Sequence, residues 1–146
     1  MELRGIQCVV EPFSTTYTTV NSPVDVETLS ATFHAELVKH LARFGLVVSA
    51  ANPAGGPGEI EIEGDFVQFD EGSRWQRYFL TFMSGGAAVE VESRLYHRGT
   101  LVSELYARTN QGIGFLGGSG KKLLNRSAAA AGRLIAGQVI AALQAR

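Results

Sequence analysis

The sequence predicts an α+β fold: a single mixed or mainly antiparallel sheet of about five strands packed against two long helices. Three observations predict it. Val26–Phe44 and Leu123–Leu143 place apolar residues at spacings of three and four, the period of a helix with one buried face. Residues 87–97 and 100–109 instead alternate apolar and polar, the period of a half-buried strand. Shorter β-rich runs at Ile6–Val10, Leu46–Ser49 and Glu59–Phe69 supply further strands. At 146 residues, with 45% apolar content, the chain suits one domain spanning 1–146 and can fill a core, which excludes a disordered chain.

Taken in order, Ile6–Val10 is the first strand, and Cys8 within it reads as a buried structural thiol; a single cysteine forms no internal disulfide. Phe13–Asn21, rich in Thr and Ser, reads as a loop. Ser22 is the expected cap of the first helix, with Pro23 at its first position and Asp25 and Glu27 suiting the positive end of the dipole. The buried stripe is Val26, Leu29, Phe33, Leu37, Leu41 and Phe44, and Gly45 ends the helix. Asn52–Gly58 is a turn region rather than a linker. In Glu59–Phe69, Ile60 and Ile62 share a face while Val67 and Phe69 are out of phase, so a bulge is expected at Gly64. Residues 74–83 fit either a strand or a helical turn, and read as a short irregular segment leading into a strand.

The hairpin is more explicit. His97-Arg98-Gly99 suits a three-residue loop, a type I turn followed by a left-handed glycine. Leu95 then faces Leu101, Val91 faces Leu105, and Glu92 lies opposite Glu104 at a cost on the order of a few tenths of a kcal/mol. The terminal helix begins at or just after Ser119 with the stripe Leu123, Leu124, Leu134, Ile135, Val139 and Leu143. Two rows of small residues run along it, Ala128-Gly132-Ala136 and Gly137-Ala141-Ala145, which admit a close neighbour: the sheet or first helix by preference, otherwise another subunit.

Charge excludes some roles. Thirteen basic and 14 acidic residues give a net −1, no electrostatic footprint for nucleic acid or an anionic membrane. No stretch suits a transmembrane helix and no secretory signal is recognisable, so a cytoplasmic location is expected for the sequence as given, and an envelope one if a signal peptide preceded it.

Chemistry is sparse. Arg74 and Arg77 flank Trp75 and Gln76; guanidinium groups match phosphate or carboxylate, although structural pairing with nearby acids is preferred. With Lys121 and Lys122 they form the candidate anion-binding set, beside a loop holding Gly112, Gly114, Gly117, Gly118 and Gly120. That loop misses the phosphate-loop pattern, since Phe115 stands where a glycine is needed and Lys122 where Ser or Thr is needed. It reads as a turn or close backbone approach and not as a dinucleotide site. His34, His40 and His97 are too scattered for zinc, and Glu59, Glu61 and Glu63 read as a solvated or edge-protecting face. No serine sits in a nucleophile elbow. No cofactor or metal is expected, and the reading leans away from an enzyme towards a module that binds a protein partner or itself, with a small-ligand binder as the alternative.

Gly72-Ser73-Arg74-Trp75-Gln76-Arg77, the Gly85-Gly86 step into Ala88-Val89-Glu90-Val91, and the Gly99 hairpin together resemble an uncharacterised bacterial family, domain of unknown function 4410. The resemblance is most specific between Gly64 and Gly120. It implies the same element order and an envelope lipoprotein setting, from which this sequence departs in lacking an apolar lipoprotein signal before Cys8. It implies no catalytic residues.

Overall fold

The computed structural model describes residues 1–16, 18–20, 25–52, 55–56, 58–70, 87–111 and 120–146. In chain order the elements are β1 (Gln7–Val10), β2 (Thr19–Val20), α1 (Val26–Arg43), β3 (Val47–Ser49), β4 (Ile60–Asp70), β5 (Ala87–His97), β6 (Thr100–Gln111) and α2 (Gly120–Gln144). The fold is α+β. Five strands run in the order β3-β1-β4-β5-β6, and β2 adds to β4 beyond β1. The ladders of β1 with β3 and β4, and of β2 with β4, are parallel and short; β4–β5 and β5–β6 are antiparallel and long, so the sheet is mixed and mostly antiparallel. Parallel β1 and β3 cannot be joined by a hairpin, and α1 supplies the crossover.

Helix α1 starts where Asp25 accepts from the Thr28 amide (3.1 Å) and hydroxyl (2.7 Å). Asp25 is thus the cap, in place of the expected Ser22, which with Pro23 lies outside the described residues. Leu29, Phe33, Leu37 and Leu41 are buried as the stripe requires. Phe44 is exposed, because as C-cap it has left the helical path. Gly45 follows at φ +93°, the left-handed conformation that suits glycine after a helix.

The core lies between the sheet and both helices. Phe13, Phe33, Phe66 and Phe69 form its aromatic centre, with ring centroids 4.8 Å (Phe13–Phe33) and 5.0 Å (Phe33–Phe66, Phe66–Phe69) apart. Gly64 makes room for it: a Cβ there would fall 2.6 Å from the Phe13 ring and 2.3 Å from the Glu92 carbonyl. The expected bulge is therefore not at Gly64. It lies at Val67, between the Phe66–Val91 and Gln68–Glu90 pairs, and it rotates Phe69 into the core. Cys8 is fully buried, and burial pushes its thiol pKa up to about 12, which keeps it protonated.

The Thr/Ser stretch after β1 is more ordered than a loop. Ser14 bridges Asp65, Thr18 Oγ1 donates to the Phe66 carbonyl (2.8 Å), and β2 closes the run, so it continues β1 along the edge of β4. Ser14 makes main-chain bonds to Gly64 and Phe66 of β4, and between Ser14 and β2 the Thr18 hydroxyl adds a side-chain bond to the same strand.

The β5–β6 turn is tighter than expected. Arg98 (φ 51°) and Gly99 (φ 79°) both take the left-handed conformation, which makes a two-residue type I′ turn with His97 opposite Thr100. A bulge at Val102 then shifts the register again. The two steps move each partner by two residues in all, so Val91 faces Ala107, Ser93 faces Leu105 and Leu95 faces Ser103. An even shift leaves the buried faces intact. Only Leu101, between the two steps, is turned out, and it is exposed instead of buried. The expected Glu92–Glu104 clash disappears: Arg94 is opposite Glu104, and Arg108 opposite Glu90.

Helix α2 packs on β5, β6 and α1 through Leu124, Ala128, Ala131, Ile135, Val139 and Leu143, among others. Leu134 falls outside this arc and is exposed, contrary to the expected stripe. The side chain of Leu123 lies outside the described residues. Thr32 donates to Asn125 Oδ1 (2.8 Å) and Arg133 approaches Glu36 (3.6 Å), so contacts advance together and the two helices run the same way. Gly132 sets their closeness: a Cβ there would fall 2.6 Å from the Phe33 carbonyl. The first small-residue row thus meets α1, as preferred from the sequence.

Candidate functional site

Both helices cover one face of the sheet, and among the described residues no element covers the outward positions of β4, β5 and β6 on the other. Alternation sends Glu61, Glu63 and Asp65, then Glu90, Glu92, Arg94 and Tyr96, then Glu104, Tyr106 and Arg108 to that side. Arg94 is its hub. Its Nε donates to Glu63 Oε1 (3.0 Å) and its Nη2 to Asp65 Oδ2 (3.1 Å), and the Tyr96 hydroxyl donates to the same Glu63 oxygen (3.0 Å). The Arg94 guanidinium, helped by Tyr96, holds the Glu63 carboxyl below the usual carboxylate range. The Tyr106 hydroxyl donates to Glu90, which raises the phenol pKa.

Beside Arg94 lies an open depression of about 400 Å³, lined by Glu92, Ser93, Arg94, Glu104, Leu105 and Tyr106. At the turn, Arg98 and His97 both reach Glu59 and lower its pKa, His97 most. The acidic row on β4 is therefore no edge protection. It stands on a central strand, with Glu59 and Glu63 paired to cations of the hairpin. Glu61 differs: its Oε1 is buried with no hydrogen-bond partner among the described residues.

The β6 edge is closed at its middle. The Tyr106 amide donates to Gln138 Oε1 (3.2 Å), and Gln138 Nε2 donates to the Tyr106 carbonyl (2.7 Å), so a side chain of α2 imitates a neighbouring strand. Leu134 stands one turn before Gln138 and is 47% exposed, and a Cβ on Gly137 would meet nothing within 4 Å. The second small-residue row of α2 thus has no partner among the described residues.

Of the predicted set, Arg74 and Arg77 lie outside the described residues. Lys121 and Lys122 fall in the first turn of α2, with side chains outside them. The glycine loop at 112–119 also lies outside. Gly112, Gly114 and Gly117 do have dinucleotide spacing, but no Asp or Glu follows Glu104 in the chain to bind a ribose. His34 contacts the Glu11 carbonyl, His40 contacts Glu36, and no group of three His, Cys, Asp or Glu suits a metal among the described residues. Sequence reasoning places Arg94 outward beside Glu92 and Glu104 but misses its partners on β4, and it misses Tyr106 and Gln138, because each draws its partner from another strand or helix.

Two parallel helices on a mixed, mostly antiparallel sheet, with a polar sheet face left open and no catalytic cluster among the described residues, define a two-layer α+β module. The chain belongs to the family described as Domain of unknown function (DUF4410), whose model matches residues 22–143. Its fold is similar to that of a Xanthomonas campestris protein of the DUF330 family (TM-score 0.64, 10% identity, 97% of this chain and 87% of that one). An uncharacterised protein (0.54, 18%, 94% of each chain) and PelC from Paraburkholderia phytofirmans, solved as a dodecamer (0.52, 15%, 95% and 89%), share it. No curated protein matches the chain. No helix among the described residues is long and apolar enough to cross a membrane.

Proposed function

We propose that the chain is a non-catalytic module that works by self-association. The observation that carries this reading is the second face of α2, where Leu134, Gly137 and Ala141 are exposed together one side away from the row that α1 occupies. Small residues admit a close neighbour, and a leucine left in water beside them favours acquiring one. That PelC, a neighbour in fold, is a dodecamer supports the reading.

Sedimentation velocity over a wide concentration range tests it. The wild-type chain is expected to form larger species as concentration rises, and Leu134→Glu to weaken them while leaving the circular dichroism spectrum unchanged. A wild-type chain that stays monomeric throughout would overturn the reading. Fractionation of native cells separates a cytosolic setting from the envelope setting that the family resemblance implies.

A further inference from the structure

We infer that the helix-free face of the sheet is the docking surface for α2 of a second copy of this chain. The inference rests on the self-associating reading and names its two surfaces. Charge complementarity carries it. Among the described side chains, the outward positions of β4, β5 and β6 hold six carboxylates (Glu61, Glu63, Asp65, Glu90, Glu92 and Glu104) against two guanidiniums (Arg94 and Arg108). Arg94 is engaged by Glu63 and Asp65, so Glu92 and Glu104, flanking the open depression, have no ion-pair partner among the described residues.

Helix α2 is the complement. From Gly120 to Gln144 it carries Lys121, Lys122, Arg126 and Arg133 and no acidic residue. Arg126 and Arg133 are exposed and seven residues apart, two turns along one side of the helix, with Leu134 and Gly137 adjoining; Arg133 also reaches Glu36 of its own α1, whereas Arg126 has no ion-pair partner among the described residues. Gly137 lets the helix lie close to a flat surface, and the half-exposed rings and methyls of Tyr106 and Leu101 on β6 offer Leu134 an apolar counterpart.

The geometry also sets the form of assembly. Helix α2 covers the opposite side of the sheet from the face it would meet, so two copies cannot satisfy both contacts reciprocally. Each copy offers one surface and receives on the other, a heterologous contact that continues into rings or stacks beyond a dimer.

Charge reversal tests the pairing. A face variant, Glu92→Lys with Glu104→Lys, and a helix variant, Arg126→Glu with Arg133→Glu, are each sedimented alone and then mixed in equal amounts. Each alone is expected to associate on the order of ten-fold more weakly than wild type, and the mixture to recover, because reversed face and reversed helix are again complementary. Wild-type association is likewise expected to weaken as salt rises. Where circular dichroism shows that Arg133→Glu unfolds beside Glu36, Arg126→Glu alone replaces it. Variants that associate as wild type does, or a mixture that fails to recover, overturn this assignment while self-association stands. A monomeric wild type overturns both.

Discussion

Two glycines five residues apart in α2 show how strongly the neighbour decides a residue's role. Both are helical, so alanine at either should gain about 1 kcal/mol of helix propensity. At Gly132 the new methyl would fall 2.6 Å from the Phe33 carbonyl and 3.0 Å from Glu36 Cβ, so α1 and α2 must separate. Overpacking of that kind costs about 1–3 kcal/mol and outweighs the gain. At Gly137 nothing lies within 4 Å. Urea denaturation should therefore show Gly132→Ala destabilised and Gly137→Ala stabilised; the same sign for both would contradict the packing described. The four-residue repeat of small side chains announces such close approach, but it cannot say which of two identical-looking rows meets a helix.

Arg94 carries the other residue-scale expectation. It holds the Glu63 carboxyl below the usual range, so the folded chain binds that proton less tightly than the unfolded one. The stability this gives is complete above the ordinary carboxylate pKa and is lost as pH falls through the lowered value. Arg94→Met keeps the aliphatic stem and removes the charge. The stability difference between wild type and Arg94→Met should be larger at about pH 7 than at about pH 3. A difference independent of pH would show that Arg94 acts by packing alone. Glu63 and Arg94 are 31 residues apart, and nothing local in either sequence pairs them.

Among the elements, β6 shows both the reach and the limit of sequence reasoning. Its alternation, and that of β5, correctly separates buried from open positions at Val89, Val91, Leu105 and Ala107. Its register is not legible, because the turn depends on Arg98 adopting a left-handed backbone, which its residue type does not favour. Arg98 holds that conformation with a main-chain bond to the Glu59 carbonyl (2.9 Å) and side-chain bonds to Glu59 Oε1. The guard at the strand's edge is equally non-local. Gln138→Ala would leave the Tyr106 amide and carbonyl to solvent. Hydrogen exchange at the Tyr106 amide should then quicken by about ten-fold, the equivalent of roughly 1.4 kcal/mol of lost protection. Unchanged exchange would mean that Gln138 does not close the edge.

For the whole molecule, the arrangement of the core bears on how the chain unfolds. One cluster of buried residues joins α1 (Phe33, Leu37), β4 (Ile62, Phe66), β5 (Val89, Val91) and α2 (Ile135, Leu143). Among the described residues, neither helix has a separate core to retain if the other leaves. Thr109 on β6 adds a polar tie, donating to the Ser127 carbonyl of α2 (2.6 Å) in a buried setting. A single domain over 1–146 should then melt as one unit, with far-ultraviolet and near-ultraviolet signals changing at the same urea concentration. Leu37→Ala in α1 and Ile135→Ala in α2, both fully buried, should each lose about 2–5 kcal/mol. Each should shift that common midpoint without splitting it. A second transition in either variant would divide the chain into separately stable parts.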